Sequence, residues 1–147
     1  MKVSFEAIPI FAGLERTSLI FLKNLAKVQK FKKNEFLIKQ GEEGHAFFIL
    51  KAGKVEIILQ QKPDKEAILA TLGPLSCFGE MALIECMKRS ASVRALENGQ
   101  AYVLNNGDLY HLYEKFPDQY AIVMLNIARD LCRRIRELNQ IFLVLTR

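Results

Sequence analysis

The spacing of hydrophobic residues changes twice along the chain, and these changes predict three structural segments. The stretch TSLIFLKNLAKV has apolar residues near a helical spacing, and Thr17 or Ser18 is predicted to cap that helix. From residue 31 to 105, short runs of β-forming residues are broken by glycines and turn residues, a pattern typical of a barrel or jelly roll. The spacing then becomes helical again, with Asp108 as a predicted cap and Pro117 at the start of a long helix.

Turn signals inside the β-rich segment predict how its strands pair. FFIL and VEIIL, joined through KAGK, have the pattern of one hairpin, and SASVRAL and AYVL, joined through ENGQ, have that of a second. KPDK at 62–65 is predicted to be a turn that leads into the apolar run from Ala67 to Leu72.

Length and composition are those of a soluble globular protein. The 147 residues fit one domain, half of them are hydrophobic and a quarter are charged. The N-terminal MKVSFEAIPIF is interrupted by Glu6 and Pro9, so it lacks the continuous apolar region of a signal peptide. The apolar run from Ile141 to Leu145 is too short to cross a bilayer. We therefore expect no membrane segment and a cytoplasmic location.

The cysteines and the basic residues indicate no special chemistry. Three cysteines without metal-ligand spacing are expected to be reduced, as in a cytosolic protein: Cys77, Cys86 and Cys132. The net charge is +5, and six lysines lie between Lys23 and Lys39. A nucleic-acid surface and a solvated face both explain these lysines, and their spread along a helix and a loop favours the solvated face.

The histidines argue against a metal-dependent barrel enzyme, which would need several of them clustered. The chain has two, His45 in a glycine-rich loop and His111 in a predicted helix. Each is predicted to be an ordinary surface or packing residue, and no nucleophile has a histidine placed to activate it. We therefore expect no catalytic residues, no metal and no cofactor.

Arg89 opens the run RSASVRA, whose alternation predicts a strand. Ala91, Val93 and Ala95 share one parity and are predicted to face a core, and Arg89 falls on the same parity. A guanidinium that faces an apolar interior needs an anionic partner. Glu80 would be such a partner if it forms a salt bridge with Arg89. Alternatively, Arg89 lies at a strand end and its side chain reaches solvent, where it needs no partner.

The residues before Arg89 offer a third explanation, which is a bound anion. Gly79 to Ala82 can form a short helical turn whose exposed N–H groups bind phosphate, and Arg89 would add a bidentate fork. Glu80 would accept a hydrogen bond from a hydroxyl, and Ser90 offers a further hydroxyl donor. Together these groups match a ribose phosphate.

The run FGEMALIECMKRSASVRA closely resembles the phosphate-binding cassette of cyclic nucleotide-binding domains. IKQGEEGHAFFILKAGKVEI resembles the glycine-punctuated strands of that family, and IPIFAGLERTSLIFL resembles its N-terminal helical motif. LYHLYEKFP and the long segment after it resemble the last two helices, so the likeness covers about residues 8 to 140.

This resemblance implies an α+β, mainly β fold. It is an eight-stranded antiparallel β-roll (a jelly-roll barrel) with an N-terminal helical motif and two C-terminal helices. We expect a single cyclic nucleotide-binding domain over residues 1–147. Its parts would be a helical segment at 1–30, a roll at 31–106 with its cassette at 78–91, and the C-terminal helices at 107–147.

The resemblance also implies roles for individual residues. Arg89 would pair with the cyclic phosphate, Glu80 would accept the ribose 2′-hydroxyl, and Gly79 would let the backbone approach the sugar. Further phosphate contacts would come from backbone N–H groups of Ala82, Ser90 and Ala91. The chain departs from the family pattern at two turn positions, where Leu75 and Asn34 replace common glycines. Asparagine tolerates a left-handed conformation.

The base of the nucleotide would project toward the mouth of the roll, where the long helix is placed to cover it. We expect Leu138 to pack on the base and Asn139 to hydrogen-bond an adenine edge. The Arg-Ser-Ala of the cassette is similar to that of bacterial cAMP activators, which favours cAMP. A cGMP-binding module and a cyclic-dinucleotide-binding module are the alternatives.

These features predict a cyclic-nucleotide sensor in which ligand repositions the C-terminal helix. The alternative is a degenerate, non-binding β-roll that serves in dimerisation. A stripe near heptad spacing predicts a homodimer or else packs on the chain's own roll; it consists of Met124, Ile127, Leu131, Leu138, Ile141 and Leu145. No DNA-binding domain is expected, since similar bacterial activators continue past this helix and this chain ends at Arg147. The chain is also compatible with a fragment of a longer regulator or channel.

Overall fold

Two four-stranded antiparallel sheets form a β-roll in the computed structural model, which describes residues 4–85 and 87–147. One sheet has the strand order β1-β8-β3-β6, and the other has the order β2-β7-β4-β5. This architecture confirms the predicted eight-stranded β-roll. The strands are β1 Lys27–Phe31, β2 Phe36–Ile38, β3 Ala46–Ala52, β4 Val55–Lys62, β5 Lys65–Leu72, β6 Cys77–Phe78, β7 Ser92–Ala95 and β8 Gly99–Asn105.

Helices lie at both ends of the chain and inside the predicted cassette. Two 3₁₀ turns, Phe5–Ala7 and Pro9–Phe11, precede the helices α1 Arg16–Leu25, α2 Met81–Glu85, α3 Asn106–Lys115 and α4 Pro117–Leu145. Pro117 occupies the first turn of α4, as predicted. None of the helices described is both long and apolar enough to span a membrane.

Two predicted helix caps are corrected by the structure. The N-cap of α1 is Glu15, and Ser18 lies inside the helix, where its hydroxyl is 2.9 Å from the Gln119 side-chain oxygen. The N-cap of α3 is Asn105, while Asp108 completes a reciprocal capping box with it. Both helices begin earlier than predicted, because Glu15 and Asn105 already have the extended backbone conformation of an N-cap.

The two hairpins that we predicted through KAGK and ENGQ are wrong. β3 pairs with β6 and β8, whereas β4 pairs with β5 and β7, so FFIL and VEIIL lie in different sheets. SASVRAL and AYVL, in β7 and β8, are likewise separated. Each short connection is a corner that carries the chain from one sheet to the other. The KPDK turn does join a true hairpin, with Lys62 opposite Lys65.

Apolar side chains pack in two layers. One cluster fills the space between the two sheets, and includes Phe31, Leu50 and Phe78. The other lies between the first sheet and the helices, and includes Phe47 and Leu112. Close packing around these two clusters makes the roll rigid, and the cassette and α4 are positioned by contact with it.

Asn34 and Leu75 both adopt the left-handed backbone region, with φ of 74° and 77°. These are the two positions at which the resemblance described above implies that glycine is common. The chain therefore keeps the turn geometry without the residue that adopts it at least cost. The turn at Leu75 is held by a hydrogen bond from its N–H to the Leu50 carbonyl, 2.8 Å away.

Candidate functional site

The backbone of Arg89 is fixed to the loop between β2 and β3. Its N–H donates to the Glu42 carbonyl over 2.8 Å, and its carbonyl accepts from the Gly41 N–H over 2.9 Å. An isolated antiparallel bridge between Glu43 and Lys88 lies beside these bonds. The arginine is thus held at the end of the cassette by a segment that is more than forty residues earlier in the chain.

The guanidinium of Arg89 reaches into the roll and does not point to solvent. Nη1 donates to the Gly79 carbonyl over 2.9 Å, and Nη2 donates to the Ala46 carbonyl over 2.6 Å. Burial lowers the pKa of this guanidinium, while the nearby Glu80 charge raises it. The predicted inward direction is confirmed, although Arg89 precedes β7, in which Val93 and Ala95 are buried.

Two glycines make room for this arginine. A Cβ on Gly44 would lie 2.3 Å from Arg89 Nε, and a Cβ on Gly79 would lie 2.9 Å from Arg89 Nη1. Gly79 also has a φ of +81°. The sequence motif indicated Gly79, but it did not indicate Gly44. The only sequence signal for Gly44 was its place in a glycine-punctuated stretch.

Glu80 is 2% exposed, and its partner is Arg134 of α4. Arg134 Nη1 donates to Glu80 Oε1 over 2.8 Å, and Nη2 donates to the Cys77 carbonyl over 2.8 Å. Burial raises the pKa of the Glu80 carboxyl, and the Arg134 charge opposes this rise. The Glu80–Arg89 salt bridge considered above is therefore replaced by a pair that spans 54 residues of sequence.

Two cavities adjoin these residues. The first, of about 110 Å³, is lined mainly by the cassette, with Ile38, Ile57 and Val93 from the rest of the roll. The second, of about 680 Å³, lies between α4, the end of β5 and the turn that follows it. Ile57 and Arg134 line both cavities, so these two side chains form the boundary between them.

Most of the predicted site residues come together around the first cavity. Its lining includes Gly79, Glu80, Arg89, Ser90 and Ala91. Ala82 lies in α2, within the same cassette.

The structure does not bring Leu138 or Asn139 to either cavity. Both are exposed and lie one helical turn beyond Arg134. The residues of α4 that line the second cavity come earlier along the helix and were not among the predicted site residues; they are Asn126, Arg129, Asp130, Arg133, Arg134 and Glu137.

Nothing in the described ranges forms a metal centre. His45 and His111 are exposed, as predicted, and no group of three or more metal-ligating side chains occurs within residues 4–85 and 87–147. Cys77 and Cys132 are free thiols, and the prediction for Cys86 falls outside the described residues. The groups that surround the first cavity are instead suited to an anion and a hydroxyl.

The sequence profile described as "Cyclic nucleotide-binding domain" matches residues 28–116. The chain is 31% identical over 129 residues to the Cyclic AMP receptor protein of Thermus thermophilus, covering 88% of this chain and 58% of the relative. It is 35% identical over 99 residues to the cGMP-dependent protein kinase of Plasmodium berghei, covering 67% of this chain and 11% of the kinase. The chain thus spans less than two thirds of the length of either relative.

Solved structures agree with the sequence comparisons. The crystal structure of Thermus thermophilus Catabolite Activator Protein superposes with a TM-score of 0.80 at 30% identity, covering 94% of this chain and 63% of that chain. A cyclic nucleotide-binding domain from Methylobacillus flagellatus superposes with a TM-score of 0.81 at 24% identity, covering 90% and 75%. The second likeness supports the fold alone.

Proposed function

The chain belongs to the cyclic nucleotide-binding domain family, and we propose that it is a regulatory module which binds cAMP and changes the position of α4. The observation that carries this proposal is the direction of Arg89. Its guanidinium lines the first cavity, with a buried carboxylate in the same lining and two glycines shaped around it. A cation and a hydrogen-bond acceptor side by side fit a ligand that carries both a phosphate and a hydroxyl.

Arg89 is the phosphate ligand in this proposal. Its guanidinium donates to the neutral carbonyls of Gly79 and Ala46, and within residues 4–85 and 87–147 no carboxylate forms a direct ion pair with it. A guanidinium has five N–H donors in a fork that matches phosphate oxygens. Backbone N–H groups of Ala82, Ser90 and Ala91 would complete the contact.

Glu80 is the sugar ligand. A buried ionised carboxylate only accepts hydrogen bonds, which suits a ribose hydroxyl and repels a phosphate. Glu80 and Arg89 line the same small cavity, so the two contacts can be made by adjacent parts of one ligand. A cyclic nucleotide has its phosphate and its 2′-hydroxyl on the same five-membered ring.

The base would occupy the second cavity. The first cavity holds about 110 Å³, which is well below the several hundred Å³ of a typical ligand pocket. The second cavity adjoins it and combines apolar walls, including Leu72 and Leu75, with polar groups of α4. In this structure the position differs from our expectation that Leu138 and Asn139 contact the base, because neither residue lines a cavity. Those two residues would reach the base only if α4 moved.

Support for cAMP comes from the Arg-Ser-Ala of the cassette and from the similarity to a cyclic AMP receptor protein. The similarity to a cGMP-dependent protein kinase keeps cGMP as the alternative. Binding without catalysis is proposed because the sequence profile that matches the chain describes a nucleotide-binding domain. The output would then be a mechanical change in α4.

Self-association through α4 is a second part of the proposal. The predicted apolar stripe divides in two, because Ile127 is buried in the chain's own core while Leu138, Ile141 and Leu145 are more than 50% exposed. The N-terminal half of the stripe therefore packs on the roll, and the C-terminal half is open to a second copy. Sedimentation of the protein with and without Leu138→Lys tests this, and a wild-type monomer at high concentration would refute it.

The test of the proposed function is calorimetric titration with cAMP, cGMP and a cyclic dinucleotide. We expect saturable binding, tightest for cAMP, and competition between the nucleotides for one site. A preference for cGMP would reverse the choice of ligand but keep the function. If none of the three binds to folded protein at millimolar concentration, the chain is the degenerate roll and the proposal is wrong.

A further inference from the structure

The excess positive charge of the protein comes from one short segment. Residues 23–39 contain six lysines and one acidic residue, Glu35, and their net charge of +5 equals that of the whole chain. The other residues contain 15 basic and 15 acidic side chains, so their charges balance. Because these lysines are spread along the sequence, we expected them to form an ordinary solvated face.

Folding instead places three of these lysines at one end of the roll, beside two lysines from a later segment. The turn between β1 and β2 is held to the corner between β7 and β8, because the Lys33 N–H donates to Asn98 Oδ1 over 2.9 Å. The corner between β3 and β4 is held there too, since the Leu96 N–H donates to the Lys54 carbonyl over 2.8 Å. We call this surface the basic end, and its members are Lys30, Lys32, Lys33, Lys51 and Lys54.

The ammonium groups of the basic end are available to an outside partner. Lys51 Nζ lies 5.3 Å from the centre of the Tyr102 ring. Lys30 is on the same face of the sheet, because Tyr102 pairs with the residue two positions before it. Four of the five lysines are exposed, and Lys51 is partly buried. In the part of the chain that the structure describes, every ion pair is made by an arginine or a histidine, so no carboxylate neutralises these lysines.

The chemistry of the basic end favours an anionic lipid surface over a nucleic acid. Its three turns, at 32–35, 51–54 and 96–99, contain no arginine and no aromatic residue. Arginine forks and aromatic rings are the groups that read bases or stack on them. The five lysines exceed the acidic residues of these turns, Glu35 and Glu97, by three charges. A lysine ammonium is a strongly hydrated point charge, which suits the diffuse attraction of an anionic leaflet.

The shape and position of the basic end also suit a flat partner. The turns lie at an end of the roll, and no residue of them lines either of the two cavities described above. The Ala46 carbonyl, which accepts from Arg89, is at the opposite end of β3 from Ala52, about 20 Å along the strand. A membrane that contacts the basic end would therefore leave the candidate nucleotide site open.

We propose that the basic end docks the protein on the anionic headgroups of a lipid bilayer. This inference goes beyond the proposed function and does not depend on it. Each lysine near an anionic leaflet strengthens binding by a factor of about five. The attraction is between exposed charges, so salt weakens it.

Sedimentation with lipid vesicles tests the proposal. Wild type should bind vesicles of phosphatidylcholine mixed with phosphatidylserine at about 0.1 M salt, and should be released at about 1 M salt. It should not bind vesicles of phosphatidylcholine alone. The double variant Lys33→Gln/Lys54→Gln should bind the mixed vesicles about 25-fold more weakly, because two lysine contacts are lost.

Lys62→Gln/Lys65→Gln is the matched control. It removes the same charge from two exposed lysines at the tip of the β4–β5 hairpin, about 25 Å along β4 from Lys54. It should bind the mixed vesicles like wild type. An equal loss in both double variants would show that net charge, and not the basic end, attracts the lipid, and the proposal would be wrong.

Two other results would overturn the proposal. One is wild-type protein that stays in solution with the mixed vesicles at about 0.1 M salt. The other is tighter binding to duplex DNA than to the mixed vesicles, which would make a nucleic acid the partner of these lysines. The assay contains no nucleotide, so its outcome is independent of the cAMP titration that tests the proposed function.

Discussion

Gly44 lies against Arg89 so closely that a Cβ on Gly44 would come within 2.3 Å of Arg89 Nε. This contact is between a loop of the roll and the side chain at the centre of the candidate site. No residue with a side chain fits at position 44 unless Arg89 moves. The position of the guanidinium therefore depends on the absence of a side chain on Gly44.

Gly44→Ala should weaken cyclic nucleotide binding by about tenfold or more, because the arginine must leave its place in the cavity. Gly73→Ala is the control, since a Cβ there meets nothing within 4 Å and the backbone is not left-handed. Both variants should be folded, which circular dichroism would show. Calorimetry that finds wild-type affinity in Gly44→Ala would show that the ligand does not need the observed arginine position.

Arg89→Ala should weaken binding by roughly thirtyfold or more, since removing one partner of a buried charged contact costs on the order of 2–5 kcal/mol. Arg89→Lys should recover only part of this loss, because a lysine cannot offer the bidentate fork. The measurement is calorimetric titration with cAMP. Equal affinities for wild type and the alanine variant would remove Arg89 from the site.

The 2′-deoxy form of the nucleotide should bind wild type more weakly than the parent, because it lacks the hydroxyl that would donate a hydrogen bond to Glu80. The difference between the two ligands should shrink in Glu80→Ala, since neither ligand can then make this contact. A competition titration compares them directly. If wild type does not distinguish the two ligands, the role of Glu80 is to hold Arg134.

The raised pKa of Glu80 should make its contribution to stability depend on pH. A carboxyl whose pKa is higher in the folded state favours folding while it is protonated, below its ordinary value of about 4.5. This contribution is lost as the pH rises through the folded-state pKa. The free energy of unfolding of wild type minus that of Glu80→Gln should therefore fall as the pH increases.

Urea unfolding of both proteins between about pH 4 and about pH 8 measures this difference, with a slope of at most about 1.4 kcal/mol per pH unit for one proton. The glutamine variant keeps every other titrating group, so the difference isolates Glu80. A difference that rises with pH would mean that the attraction of Arg134 outweighs the effect of burial.

The left-handed backbone at Asn34 predicts opposite effects for two small substitutions. Asn34→Ala should destabilise the fold by about 1 kcal/mol, because alanine lacks the short polar side chain that supports this conformation by local hydrogen bonding. Asn34→Gly should be neutral or slightly stabilising, since glycine adopts a φ of 74° without steric cost. Urea unfolding ranks the three proteins, and a stable alanine variant would contradict the strain assigned to this turn.

Local patterns predicted the parts of the site that are close in sequence. Glu80 and Arg89 belong to one short cassette, so their proximity could be read from the motif. Arg134 could not be paired with Glu80 in that way, because their contact depends on how α4 docks on the roll. Gly44 was equally hidden, since only the folded loop brings it to Arg89.

The fold was predicted at the level of element types, and it was not predicted at the level of strand partners. A turn signal shows that the chain reverses direction, but it does not show whether the next strand joins the same sheet. At Gly53, a Cβ would lie 2.9 Å from the Asn98 carbonyl, so the two corners of the roll pack against each other. This packing between distant turns is tertiary information and has no local sequence signature.

The pairing of β1 with β8 has a consequence for how the protein is made. Lys27 lies opposite Val103, so the first strand acquires its neighbour only after most of the chain has left the ribosome. Such non-local pairing gives a high contact order, for which folding times of milliseconds to seconds are typical. The loop that holds the Arg89 backbone also waits for a later segment, because Glu42 is synthesised well before Arg89. A nascent chain that stalls before β8 would therefore present open strand edges, the surfaces from which misassembly begins.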